Sequence, residues 1–304
     1  MVLNTNRKEV FICNMNTNYH LKQKSTNSIK IFCYYFTNGE FCYIIKQKNY
    51  LYINVGGAMP RFFVESENFD GTSIVINGDD AWHIARSLRM AVGEEIIVCT
   101  PDAKEHVCVL ERITDGSVKA LVKESRRAKG EFPFKTVLYQ ALPKGDKMDT
   151  IVQKAVENGV SLIVPFLSER CVSRPDEKSL EKKRARWQRI ALEAAKQCGR
   201  GVVPAVLGAL SFSQMLEEAK THKLCCFCYE GEDKKTLKNV LQSVSLAQGD
   251  TVSVVVGSEG GFSEKEALSA AEAGASTCGL GERILRCESA SLYALACISY
   301  EFEL

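Results

Sequence analysis

No run of 18 apolar residues occurs in this 304-residue chain, so the sequence offers no helix able to span a membrane. The start also lacks the basic stretch, continuous apolar run and small-residue cleavage site of a secretion signal. Proline is scarce at seven residues and tryptophan scarcer at two, and no collagen-like or low-complexity composition appears after Met59. An excess of one charge is missing too. The 39 Lys+Arg against 37 Asp+Glu leave +2, so nucleic-acid binding cannot rest on a global basic field. Hydrophobic residues, at 45%, are ample for a core.

The sharpest absences are local. Residues 1–58 contain no Asp, no Pro, no Trp and a single Ala, at position 58. Nine Asn, six Lys, six Tyr, six Ile and four Phe supply most of them, all residues favoured by A/T-rich codons. This segment carries +5, leaving −3 on residues 59–304. Val55-Gly56-Gly57-Ala58 precedes Met59, and glycine codons can encode a purine-rich ribosome-binding sequence. The composition predicts that 1–58 is upstream DNA translated in frame, a disordered non-native extension with the native start at Met59. A genuine disordered or basic RNA-binding arm is the other reading.

Ten of the thirteen cysteines fall after Met59, most of them in apolar stretches where cysteine acts as a small hydrophobe. A reduced, cytoplasmic protein is the simplest account. Cys225 and Cys228 form a C-x-x-C near His222, but no second ligand pair is suitably spaced, so Leu224–Tyr229 reads as a buried strand and no metal is expected.

Residues 59–130 alternate short apolar segments with Gly71, Gly78, Gly93 and Gly116, which suggests a small β-barrel of about five strands. One helix, Asp80–Met90, interrupts it, with Trp82, Ala85, Leu88 and Arg89 at helical spacing. Arg126–Gly130 reads as an exposed linker. Residues 131–304 alternate strands and helices, implying an α/β domain with a mostly parallel sheet of five or six strands. Helices are expected at Asp146–Asn158, Leu180–Cys198 (Trp187, Ile190, Ala194 and Cys198 inward), Ser263–Ala273 and Ser289–Phe302.

Several strand-to-helix junctions could carry chemistry. Val254–Ser263 ends a buried strand in Gly257-Ser258-Glu259-Gly260-Gly261, then starts a helix with the capping box Ser263-x-x-Glu266. It matches neither the G-x-G-x-x-G pattern nor a P-loop. Leu280–Ser289 places Arg283, Arg286, Glu282 and Glu288 in a second such loop. Leu142–Met148 and Gln197–Arg200 are further junctions, each also explicable as an ordinary turn or helix cap. Lys178–Arg189 holds six basic residues and one acidic, and Lys119–Lys129 five and one. Such patches suit phosphate contact or simply a solvated face.

Taken in order, these segments resemble the RsmE family of ribosomal RNA methyltransferases, within the SPOUT superfamily. The likeness runs from Met59-Pro60-Arg61-Phe62-Phe63 and Ala81–Met90, through Leu142–Met148, Phe166–Arg170 and Glu193–Arg200, to Gly257–Gly261 and Leu280–Ala290. It departs at Ser258, where the family usually has Pro, at Cys287, where Thr is common, and at Ser289 and Asn158. The resemblance implies an N-terminal PUA-like barrel and a C-terminal SPOUT α/β domain with a deep trefoil knot. It also implies a homodimer that uses S-adenosylmethionine to methylate N3 of uracil 1498 in 16S ribosomal RNA of the small ribosomal subunit. Carried over residue by residue, Gly257, Glu259, Gly260 and Gly261 form one wall of the cofactor site, and Leu280, Gly281, Ile284, Leu285 and Arg286 another. Arg286 and Glu288 are the expected catalytic pair. Arg61, Arg86, Arg89, Lys144 and Arg200 are the expected RNA contacts. A non-catalytic RNA-binding or ribosome-assembly protein, and a different α/β nucleotide-binding enzyme, are the alternatives.

Overall fold

The computed structural model describes residues 59–114, 116–231 and 235–303; the expectation for residues 1–58 lies outside them. The first sheet contains β1 (Arg61–Phe63), β2 (Ser73–Asn77), β3 (Glu95–Thr100), β4 (Lys104–Ile113) and β5 (Ser117–Arg127). Its order is β1-β3-β4-β5-β2, with β1 parallel to β3 and the other pairs antiparallel. Register shifts at Val107/Cys108 and Leu110/Arg112 mark where β4 departs from a flat ladder. One face buries Phe62, Ile74, Ile76, Ile96, Val98 and Leu110. The strand order is open, ending at β1 and β2.

Two expectations in this region are corrected. Arg126 and Arg127 belong to β5 rather than to a linker. The segment 80–90 is not one α-helix: α1 (Gly78–Trp82) runs into a π-helical turn, His83–Ser87. Ala81 and Ile84 supply the inward face, three residues apart, so Trp82 is turned out to solvent and is 55% exposed.

The second sheet contains β6 (Lys135–Ala141), β7 (Leu162–Leu167), β8 (Ala205–Val206), β9 (Leu210–Ser211), β10 (Leu224–Cys228), β11 (Lys235–Thr236), β12 (Thr251–Val256) and β13 (Ser276–Gly279). Its order is β8-β7-β6-β12-β10-β13-β11, with β9 also beside β7, and every pairing is parallel. Eight strands exceed the expected five or six because β8, β9 and β11 have two residues each, too short to leave a periodic signal. The near-continuous apolar run of β12 is what a parallel strand covered on both faces requires.

Helices α2 (Lys147–Glu157), α3 (Glu177–Cys198), α4 (Phe212–Ala219), α5 (Leu237–Leu241), α6 (Glu264–Glu272) and α7 (Cys287–Phe302) complete this domain. Asp176 caps α3 by accepting from the Ser179 amide at 2.7 Å, which starts the helix before Leu180. Trp187 and Ala194 are buried as expected, but Cys198 is exposed. At α6 both halves of the Ser263/Glu266 capping box form. Cys225 and Cys226 are buried in β10, and no metal-binding cluster of His, Cys, Asp and Glu exists among the described residues. No helix among the described residues is long and apolar enough to cross a membrane.

Candidate active site

Neighbouring strands β12, β10 and β13 end at one edge of the second sheet, where ligands bind in open α/β sheets. The loops that follow them surround a cavity of about 620 Å³. Gly257, Glu259, Gly260 and Gly261 line one wall, and Leu280, Ile284, Leu285 and Arg286 another, so the two glycine-containing loops converge on one space. Gly281 adjoins this lining through Leu280 without forming part of it.

The glycine loop is closely packed. A Cβ on Gly257 would stand 3.0 Å from the Gly261 Cα and 3.1 Å from its carbonyl carbon, and one on Gly260 would stand 3.0 Å from the Arg170 Cβ. Arg170 Nη1 donates to the Gly260 carbonyl at 3.1 Å, and the Ser258 hydroxyl donates to the Arg170 carbonyl at 3.4 Å. Beneath the loop, the buried Gln140 amide donates to the Gly257 and Ala141 carbonyls while its oxygen accepts from the Ser291 hydroxyl of α7. The loop ends in Phe262, whose ring packs 4.2 Å from Phe227 and is stacked at 6.3 Å on Phe166.

Charge is concentrated on one side. Lys147, at the start of α2, places Nζ 2.8 Å from Glu259 and 3.7 Å from Glu288. Glu259 also accepts from the Lys144 amide at 3.1 Å. Partial burial raises the Glu259 carboxyl, but the Lys147 ammonium and the amides outweigh it and leave it below the ordinary carboxylate range. Glu288 follows the same balance: burial raises it, and its own amide, the Cys287 thiol, Lys147 and Arg286 bring it lower. Burial, then the neighbouring Glu288, push the Cys287 thiol up to about 12, so it stays protonated and donates to Glu288 at 3.2 Å. Arg286 is exposed at the mouth, with no hydrogen-bonded or ion-paired side-chain partner among the described residues. Ile284 is 86% exposed beside it.

The expected RNA contacts separate into two groups. Arg86, Arg89 and Lys144 are exposed. Arg61 and Arg200 are corrected to structural ion pairs. Arg61 Nη1 lies 2.9 Å from Glu105 and donates to Cys99. Arg200 is 5% exposed, holding Glu131 at 2.6 Å and donating to the Val156 and Val160 carbonyls. A guanidinium so enclosed gains more from its carboxylate than a solvated phosphate could return. Lys147, Arg170, Gln140 and Cys228–Glu230 belong to the site but escaped sequence reasoning. Lys147 lies inside the Leu142–Met148 segment, whereas the others carry no local pattern.

This architecture has counterparts among known proteins. A family model described as an RNA methyltransferase domain matches residues 130–299, and one described as an RNA methyltransferase PUA domain matches residues 76–123. The fold and site therefore define an RNA methyltransferase with an N-terminal PUA domain. Ribosomal RNA small subunit methyltransferase E of Bacillus subtilis is 38% identical over 251 residues, 81% of this chain and 98% of that one. The crystal structure of ribosomal RNA small subunit methyltransferase E from Neisseria gonorrhoeae, bound to S-adenosyl methionine, is 30% identical with a TM-score of 0.69, over 80% of this chain and 97% of that one. A putative methyltransferase from Legionella pneumophila, in complex with the same cofactor, is 29% identical with a TM-score of 0.68, over 80% and 98%. The chain belongs to the ribosomal RNA small subunit methyltransferase E family.

Proposed function

We propose that this protein methylates N3 of a uridine in 16S ribosomal RNA, uracil 1498 by family resemblance, using S-adenosylmethionine. The observation that carries the reading is the convergence of both glycine-containing loops on one cavity, with Arg286 exposed at its mouth. The cavity suits the cofactor. Its volume falls within the usual range for small-molecule sites, and Val256, Leu280 and Leu285 give apolar walls for an adenine.

Bound S-adenosylmethionine supplies an electrophilic methyl group; the remaining requirements fall to the chain's own residues. Uracil N3 carries a proton at neutral pH that must leave as the N–C bond forms. Arg286 holds the uracil oxygens and stabilises the anion that develops there. Glu288, ionised because its carboxyl lies low, accepts the proton but holds it weakly, so Arg286 carries the larger share. Lys144, Arg86 and Arg89 face the RNA. The chain works as a homodimer in the cytoplasm, and its second domain is a SPOUT domain with a trefoil knot. Residues 59–130 form the RNA-binding unit and 131–304 the transferase.

The test compares Arg286→Ala and Glu288→Ala in methyl transfer to small ribosomal subunits and in calorimetric cofactor binding. Both should lose transfer far more than binding, and full activity in both would refute these roles. Mass analysis of 16S RNA from a deletion strain locates the missing methyl group.

A further inference from the structure

The chain has two tryptophans, and they are treated oppositely: Trp187 is 4% exposed in the α/β core, whereas Trp82 is 55% exposed at the end of α1. Leaving an indole in water forgoes a large burial gain, so its position calls for a cause. The backbone beyond it is unusual. The Leu88 amide donates five residues back to His83 at 2.9 Å, the wide turn of a π-helix and a feature frequent at functional sites, and the Met90 amide reaches six back to Ile84 at 3.1 Å where the turn ends. Arg89 then adopts φ +52°, a left-handed conformation rare for a residue with a side chain.

The turn is nevertheless held firmly. Ala81 and Ile84 are fully buried beneath it, Asp80 pairs with Lys196 of α3 at 2.9 Å, and the His83 ring lies edge-on to Phe62 at 6.5 Å. A rigid turn therefore presents an indole face with Arg86 one helical turn further on and Arg89 at its end, both exposed. An aromatic face flanked by cations is the composition of a single-stranded nucleic-acid site, in which bases stack and phosphates pair. Leu88 and Val92 are also exposed nearby, and Trp and Arg are enriched in protein interfaces as well, so the experiment below separates a protein partner from RNA.

We infer that Trp82 is a stacking platform for an unpaired base of the ribosomal RNA substrate, with Arg86 and Arg89 holding the adjoining phosphates. The inference rests on the proposed methyltransferase function and adds a contact outside the cofactor cavity that fixes which strand is presented.

The experiment measures methyl transfer to small ribosomal subunits from cells lacking the enzyme, with Trp82→Ala and Trp82→Phe. It also follows tryptophan fluorescence during titration with a single-stranded oligouridylate and with an RNA duplex. Losing one base–aromatic stack corresponds to roughly a 5- to 150-fold rise in KM for W82A, with kcat moving much less and W82F restoring most of the affinity. Oligouridylate should quench the wild-type emission, the duplex should not, and W82F should show no quench because Trp187 is enclosed. An unchanged KM in folded W82A, or binding of oligouridylate without quench, overturns the inference. So does a W82A defect on subunits that is absent on naked 16S RNA, which would point to a protein partner. If the wild type transfers no methyl group, the proposed function fails, and the fluorescence titration still decides the role of Trp82.

Discussion

Arg200 stood among the expected RNA contacts, and its surroundings make a quantitative test of the alternative. Its Nε and Nη2 meet Glu131 at 3.1 and 2.6 Å, and the same carboxylate accepts from the Gly201 and Val202 amides at 3.0 and 3.2 Å. The two side chains retain 6% and 11% of their exposure. Removing one member of such a pair strands the other's charge and costs about 3–5 kcal/mol, against about 0.2–1 kcal/mol for an exposed pair. At roughly 2–4 °C per kcal/mol for a domain of this size, Glu131→Gln should lower Tm by about 6–20 °C. Replacing both partners by apolar residues, E131L with R200M, should recover only part of that loss: no stranded charge remains, but the Gly201 and Val202 amides lose their acceptor. Thermal unfolding followed by circular dichroism, with chemical denaturation for the free energies, supplies the cycle. A loss below about 1 kcal/mol for E131Q would refute the buried-pair account. So would an R200M protein of unchanged stability whose only defect is a raised KM for the ribosomal subunit, the signature of a phosphate contact.

Other outcomes follow from the same geometry. Lys147→Met removes the ammonium that pairs with Glu259 and neighbours Glu288; for so exposed a pair kcat/KM should fall by no more than about fivefold. Both carboxyls then rise, so the acid limb of the pH–rate profile moves to higher pH, and an unmoved limb would contradict the assignment. Gly257→Ala drives a Cβ against Gly261 backbone that cannot swing aside, so calorimetry should record cofactor affinity at least about tenfold weaker. Glu105 is raised by burial but lowered more by Arg126 and Arg61, so its folded-state carboxyl lies below the unfolded value. Its contribution is complete above the ordinary glutamate value near 4.3 and is lost as pH falls through the lower folded value. Acid titration of Glu105→Gln should therefore show less loss of stability below about pH 4.3 than the wild type.

What could be read from the sequence depended on how local each cause was. The junction at Gly257–Gly261 was legible because a strand, a glycine turn and a capping box lie consecutively within ten residues or so. The α/β grammar was legible for the same reason, each element carrying its own period. Lys147 as a link between Glu259 and Glu288 was not, since the partners come from opposite ends of the domain. Arg200 was misread because a cation after a helix reads as a C-cap or a phosphate contact, and nothing near it announces Glu131, 69 residues earlier in the chain. Trp82 was placed on a helical stripe because 3.6-residue spacing cannot register a π-turn.

The order of the parallel sheet has a consequence for how the chain is made. Strand β6 leaves the ribosome early, yet its neighbour β12 follows late; the hydrogen bond from Gln140 to Gly257 spans 117 residues. At about 5–20 residues per second, one edge of the central strand waits roughly 6–23 s for its partner during synthesis. Through that interval an apolar strand with free amides and carbonyls is open to pairing with other chains. The nascent protein is thus most vulnerable to aggregation while its future catalytic floor is half built, and its folding should be slow for its size.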